Sequence, residues 1–480
     1  MKHFSPLLLL FSASLGLAAP APARPNIVFI LADDQAPWAI GAAGHPQVRT
    51  PNMDRIAHEG VRFTHALTPT PVCSPARAAI MTSRYGTEVG ITDWLNPQFD
   101  GPLGLDAKFP TWPRLLQQAG YATALFGKWH LGDLDEQHPT QRGFGTFVGL
   151  RGGGSPPKDP VLEKNGIKEK RVGFIVDLVA DEALAWLQQR DTSQPFAVSI
   201  HFREPHAAYL PVPDEDWAKV KDLDPIVPNP DFPGLDVARA KKLTRDYLAS
   251  VTALDRNVGR ILDALDRLRL AENTLLIYTS DHGYNIGHHG IWHKGNATWL
   301  LNKEALPPGT PNIPVGERPN MFDTSLHIPL AIRWPGVVKA GTTNAHTLSH
   351  LDWLPTFATV AAAPLPAGTI IRGRDVTPLL RGETKTWDDD FYAEYSQKHR
   401  AKTHVRMYRT PEWKLIRDFL SEGRDELYHL AADPGESRNL IADPSPAARA
   451  AYRDLTARIL AKMAELKDPV LAQAQVRSRE

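Results

Sequence analysis

Apolar residues in this chain gather in short unbroken runs, separated by longer stretches of helical period. The run at 26–31, Asn-Ile-Val-Phe-Ile-Leu, is bounded by Pro25 and by Asp33-Asp34. Such a run predicts a central strand covered on both faces. Similar runs occur at 122–126, 196–201, 274–280 and 329–334. Between them, apolar positions recur at helical spacing over 53–60, 112–119, 176–190, 244–268 and 350–361. Strands alternating with helices predict an α/β fold, a large mixed, mostly parallel sheet sandwiched by helices. Chemistry in such sheets collects beyond the carboxyl ends of the strands. Asp33-Asp34 and Asp281-His282 each follow a strand run directly, so they are expected at one edge.

The pattern changes near residue 375. Short β-like stretches at 391–395, 404–408 and 413–419 follow one another without helices, and an amphipathic helix covers about 447–466. A small C-terminal antiparallel sheet with a helix is the expectation. Residues 24–375 then form the catalytic domain and 376–480 a smaller subdomain, in keeping with a length of 480 residues. Proline is abundant, 42 residues, and gathers at 155–160, 209–213 and 306–319, which predicts rigid loops.

Formal net charge is zero, so no basic field exists to hold nucleic acid or an anionic membrane. Lys2 and His3 precede an apolar run from Pro6 to Leu17, and Ala21-Pro22-Ala23 offers a small-residue cleavage site. Residues 1–23 therefore read as a cleavable export signal. The run is too short to span a bilayer, no later segment reaches that length, and no cysteine follows the leader to carry a lipid. The expectation is a periplasmic or extracellular protein without a membrane anchor. Exported chains often use disulfides, yet the single cysteine, Cys73, can form none within the chain. Taken alone it reads as a buried inert thiol.

Asp33-Asp34 alone reads as a solvated strand end. Joined by Asp281-His282 it becomes an oxygen-rich cage suited to a hard divalent cation. The oxygen ligands suit Ca2+, and the imidazole, which suits a softer ion, keeps Mn2+ or Mg2+ as alternatives. Around the cysteine the chain reads Cys73-Ser74-Pro75-Ala76-Arg77. Pro75 suits the start of a helix-compatible run, which puts residue 73 at the positive helix end, beside backbone donors that welcome an anion.

This Cys-x-Pro-x-Arg pentapeptide resembles the signature of type I, formylglycine-dependent sulfatases of the alkaline phosphatase superfamily. The resemblance implies that a formylglycine-generating maturation enzyme reads Pro75 and Arg77 and oxidises Cys73 to an aldehyde. One hydroxyl of the aldehyde hydrate attacks the sulfate ester; loss of the proton from the other expels sulfate and restores the aldehyde. A thiolate would instead strand a stable adduct. The metal set implied is Asp33, Asp34, residue 73, Asp281 and His282. Gly127-Lys128-Trp129-His130-Leu131-Gly132 is similar to the family segment whose lysine holds sulfate and whose histidine takes the proton that collapses the sulfated hydrate. His206, in Arg203-Glu-Pro-His206, resembles the histidine on the leaving-group oxygen, although a histidine after a strand is more often structural. Lys294 resembles the lysine that binds sulfate and helps protonate the leaving group, a cation placed where charge develops. His288, His289 and His293 fit no metal spacing and read as loop residues near the substrate.

Further likeness at 24–35, 329–336, 426–430 and 433–436 extends it over nearly the whole mature chain. At 321–327, Met-Phe-Asp-Thr-Ser-Leu-His departs from the Tyr-Glu-Glu and arginine common in relatives. The sequon Asn296-Ala-Thr298 falls beside Lys294 and reads as coincidence. Stretches 151–171, 207–239 and 296–320 are expected to shape the pocket, where Trp94, Tyr209, Trp217 and Trp299 either stack on sugar rings or pack in the core. The expected activity is sulfuric ester hydrolysis on a sulfated carbohydrate or similar organic sulfate. A phosphonate monoester or phosphodiester hydrolase is the alternative, separable by aryl sulfate against aryl phosphonate turnover. An inactive sulfated-glycan binding protein would be marked by a lost catalytic residue, and none is lost.

Overall fold

The computed structural model describes residues 24–164, 166–302, 310–384 and 386–472. The expected export signal at 1–23 lies outside the described residues. Strands are numbered along the chain: β1 Asn26–Ala32, β2 Val61–Leu67, β3 Ala122–Lys128, β4 Thr146–Leu150, β5 Val161–Lys164, β6 Ile167–Lys170, β7 Phe196–His201 and β8 Thr274–Ser280. Three short strands follow, β9 Asn285–Ile286, β10 Ile291–His293 and β11 Trp299–Leu300, then β12 Leu330–Arg333 and β13 Thr342–Ser349. The last four are β14 Phe391–Tyr395, β15 Val405–Arg409, β16 Trp413–Asp418 and β17 Glu426–His429.

The main sheet has ten strands in the order β13-β2-β12-β8-β1-β7-β3-β4-β5-β6. Strands β8, β1, β7, β3 and β4 run parallel, and β12 is antiparallel to both its neighbours. This is the mixed, mostly parallel sheet that the alternating pattern predicts. All seven residues of β1 are buried, because helices cover both faces. Val28 and Ile30 face helices Pro51–His58, Ile175–Gln189 and Val237–Arg267; Phe29 and Leu31 face Cys73–Thr82, Trp112–Gln118 and Trp353–Val360.

Register brings the strand ends level. Leu31 pairs with Thr279 and His201, and His201 with Gly127. The segments that follow β1, β8, β7 and β3 therefore leave the sheet side by side.

The antiparallel sheet β14-β15-β16-β17 and helix Pro446–Glu465 match the C-terminal expectation, with one strand more than the pattern gave. One face of this sheet packs on Leu67, Val72, Met321 and Phe322, so it shares a core with the larger part of the chain. The departing segment at 321–327 forms that junction. Lys414 Nζ, fully buried, lies 2.7 Å from Asp323 Oδ1 and 2.6 Å from Glu436 Oε1, and Arg409 lies 2.9 Å from Asp323 Oδ2. Among the described residues no helix is long and apolar enough to cross a membrane.

Candidate active site

Helix Cys73–Thr82 begins at the cysteine itself, on its first turn, after Val72. The first turn leaves the backbone N–H groups of Cys73 and Ser74 without helical partners, at the positive helix end that favours an anion. Cys73 and Arg77 are both buried. Arg77 donates from Nε to Asp281 Oδ2 at 3.1 Å and from Nη1 to the Lys128 carbonyl at 2.9 Å. It thus ties the helix to the ends of β8 and β3.

Four groups converge on one point. Ligand atoms of Asp33, Cys73, Asp281 and His282 lie within 4.8 Å of one another, all buried. Asp33 Oδ2 accepts from Lys128 Nζ at 2.5 Å, and Cys73 Sγ lies 3.5 Å from Asp33 Oδ1 and 3.4 Å from His282 Nε2. Asp34 stands just outside this group. Its Oδ1 accepts from Lys294 Nζ at 2.6 Å and lies 3.1 Å from His282 Nε2, while its Oδ2 is buried without a hydrogen-bond partner. Lys294 Nζ also reaches Cys73 Sγ at 3.1 Å.

Charge explains the arrangement. Burial alone would raise the Asp33 carboxyl, but Lys128 and His206 hold it well below the usual range. Burial opposes protonation of His282, yet Asp281 and Asp34 push it up to about 10. Three carboxylates packed together demand positive charge, and here Lys128, Lys294, Arg77 and the imidazolium supply it. A divalent cation among these oxygens would displace the His282 proton. Two carboxylates, an imidazole, residue 73 and the orphaned Asp34 Oδ2 are a donor set that fits such an ion.

Lys128 ends β3, and His130 follows with φ 60°. His130 Nε2 donates to the Leu95 carbonyl at 2.9 Å, leaving Nδ1 without a partner. Burial, with Lys128 adding, keeps its imidazole well below the usual range and so neutral. His206 Nε2 lies 3.9 Å from Asp34 Oδ2. All ten residues singled out from the sequence therefore meet at one edge of the sheet.

A cavity of about 480 Å³ opens over Cys73, His130, His206, His293 and Lys294. Trp94 and Trp299 line it, whereas Tyr209 is buried against Tyr284 and Trp292, and Trp217 packs on the core. Of the three histidines expected near the substrate only His293 lines the cavity. His289 stacks on Phe322 and His288 lies against Trp38, because the turn at Gly287–Gly290 sends them to the far side. Stretch 207–239 contributes no lining residue; 151–171 gives Gly153 and Gly154, and 296–320 gives Asn296, Thr298 and Trp299. Asn296 is buried and its Oδ1 lies 2.6 Å from His293 Nδ1, which agrees with a sequon of no consequence.

Sequence reasoning missed two lining features and placed a third, Gly153, only within the stretch 151–171; a Cβ there would meet the His130 ring at 2.5 Å. Leu95, Asn96 and Pro97 form a wall without motif, and Arg400 arrives from the C-terminal part.

Residues 25–363 match the family model described as Sulfatase, which is well over half the chain. The chain belongs to the sulfatase family. A second model, N-sulphoglucosamine sulphohydrolase, C-terminal, matches residues 317–468. An N-acetylglucosamine-6-O-sulfatase of Bacteroides thetaiotaomicron is 29% identical over 92% of this chain and 88% of its own length. An ulvan-active sulfatase of Formosa agariphila is 28% identical over 93% of this chain and 82% of its own. A solved structure in complex with its substrate, D-glucosamine-2-N,6-O-disulfate, is similar with TM-score 0.79 and 26% identity, covering 93% of this chain and 99% of that one. This sulfatase is a sulfuric ester hydrolase.

Proposed function

We propose that this sulfatase removes sulfate from a sulfated carbohydrate, using formylglycine at position 73 and one divalent cation, Ca2+ in preference to Mn2+ or Mg2+. The observation that carries the reading is the convergence of Asp33, Asp281 and His282 on Cys73 Sγ, with Lys294 Nζ 3.1 Å from that sulfur. Sugar-sulfate relatives support the substrate class. When present, the aldehyde hydrate supplies the nucleophile and the cation draws charge from the sulfate oxygens.

The chain's own side chains do the rest. Arg77 bonds Asp281 and the Lys128 carbonyl, which anchors the helix that begins at residue 73. Lys128 and Lys294 flank the position of the sulfate and offset its charge. Lys294 Nζ holds a proton beside residue 73, where a departing alkoxide needs one. His206 borders the same side. His130, neutral with Nδ1 free, is equipped to accept the proton that must leave for sulfate to be released.

We assign the metal to Asp33, Asp34, residue 73, Asp281 and His282, and treat 376–480 as a smaller subdomain beside the catalytic 24–375. The leader composition supports export to the periplasm or beyond; an N-terminus at residue 24 in protein recovered outside the cytoplasm would bear this out.

Mass analysis of the peptide containing residue 73, after expression with a formylglycine-generating enzyme, tests the central point. An aldehyde is expected, and an unmodified thiol in active protein would overturn it. The Cys73→Ala variant is expected to lose 4-nitrophenyl sulfate hydrolysis by on the order of 10⁵-fold while keeping its melting transition. Equal turnover by that variant would refute the nucleophile.

A further inference from the structure

The cavity over Cys73, about 480 Å³, lies within the range of small-molecule sites, roughly 300–1,000 Å³, and has room for more than a sulfate group. No carboxylate stands among the described residues that line it, while two permanent cations do, Lys294 and Arg400. Lys294 is engaged by Asp34 and Cys73. Arg400 is not used by any step described above. Its side chain is 63% exposed and pairs through Nε with the buried Glu317 Oε1 at 2.8 Å. Nη1 and Nη2 have no partner among the described residues.

The loop carrying Arg400 is held in place. The side chain of His399, only 5% exposed, sits between Asp93 at 3.3 Å and Asp100 at 3.0 Å. The Lys398 backbone N–H and the Tyr395 hydroxyl both donate to Asp93, at 2.8 and 3.0 Å. The His399 ring stands edge-on to Trp94 with centroids 4.4 Å apart. One clamp thus fixes the cation and an aromatic wall of the same cavity together. Trp299, 42% exposed, offers a second aromatic face.

We propose that Arg400 is a specificity-determining residue, its guanidinium binding a second anionic group, carboxylate or sulfate, on a sugar whose scissile sulfate lies at residue 73. This rests on the sulfated-carbohydrate reading above. A planar fork with two free donor nitrogens matches the paired oxygens of either group. The indoles of Trp94 and Trp299 provide faces for the apolar side of the ring.

The test uses matured full-length protein hydrolysing 4-nitrophenyl sulfate, with three sugars as competing inhibitors. They are 6-sulfated N-acetylglucosamine, N,6-disulfated glucosamine, and the 6-sulfated N-acetylglucosamine joined to glucuronic acid. At least one of the two doubly charged sugars is expected to inhibit at roughly tenfold lower concentration than the singly charged one, and which one distinguishes second sulfate from carboxylate. Arg400→Gln should abolish that ratio and Arg400→Lys restore part of it. Equal inhibition by all three sugars, or a ratio that survives Arg400→Gln, overturns the proposal. If protein bearing the aldehyde hydrolyses no sulfate ester, the underlying reading fails instead. Calorimetric binding of the same sugars to Cys73→Ala, with and without Arg400→Gln, then decides the Arg400 site by the same ratio.

Discussion

Gly153 marks how closely the catalytic edge is packed. A Cβ there would stand 2.5 Å from the His130 ring, nearer than side chains tolerate. Gly153→Ala should therefore displace His130 and lower kcat by roughly 10- to 100-fold, with little change in melting temperature. An unaltered kcat would show that His130 has no precise position to lose. Gly127 is constrained differently: its φ is +103° and a Cβ would meet the His201 carbonyl at 1.9 Å. Metal ligation belongs to the same scale. Asp33→Asn and Asp281→Asn should each reduce bound metal measured by mass spectrometry, and full stoichiometry in both would refute the assigned cage. The convergence of the ten candidate residues was legible in the sequence because their short motifs follow strand ends or open a helix, where a few letters fix both chemistry and place. Gly153 was legible only as part of the stretch 151–171, because it acts by having no side chain, and Arg400 was not legible, because it reaches the cavity from a part of the chain 327 positions beyond Cys73 (400 − 73).

At the scale of elements, the buried cluster of Lys414, Asp323, Glu436 and Arg409 joins β15 and β16 to the catalytic part. Removing Lys414 leaves its two buried carboxylate partners, Asp323 and Glu436, short of positive charge. Lys414→Met is expected to cost about 3–5 kcal/mol in urea unfolding, and a loss below about 1 kcal/mol would mean the cluster contributes little. Strands buried on both faces were readable as unbroken apolar runs, as in β1 and β8. Strand β2, Val-Arg-Phe-Thr-His-Ala-Leu, was not, because its residues alternate between buried and half-buried. Strand β13 escaped for the same reason, its first five positions alternating between half-buried and exposed. The long helix begins at Val237 rather than at 244, since its opening residues, Val-Ala-Arg-Ala-Lys-Lys-Leu, carry too few large apolar side chains to show a helical stripe, and the Asp236 side chain caps them by accepting from the Arg239 N–H.

For the molecule as a whole, Glu204 links stability to pH. It is buried in the turn after β7, and burial pushes its carboxyl up to about 7 from 4.5. The folded protein keeps this proton up to about pH 7, whereas the unfolded chain gives it up near 4.5. The group's contribution is thus fully present below about 4.5, declines through that window and is gone above it, on the order of 3 kcal/mol. Urea melts at pH 5 and pH 8 should show a smaller drop for Glu204→Gln than for the parent, and an identical drop would exclude this group as the source.

Cys73 and Arg77 are 2% and 1% exposed, closed over by the sheet edge behind them. If residue 73 matures as proposed, the oxidising enzyme must reach Cys73-Ser-Pro-Ala-Arg before the chain closes over it. Timing would then become part of the catalyst's chemistry, with position 73 edited on a chain still open. A batch that folds first would keep the thiol, however correct its shape. Specific activity in a preparation would accordingly report a race between folding and oxidation, and slowing folding should raise it.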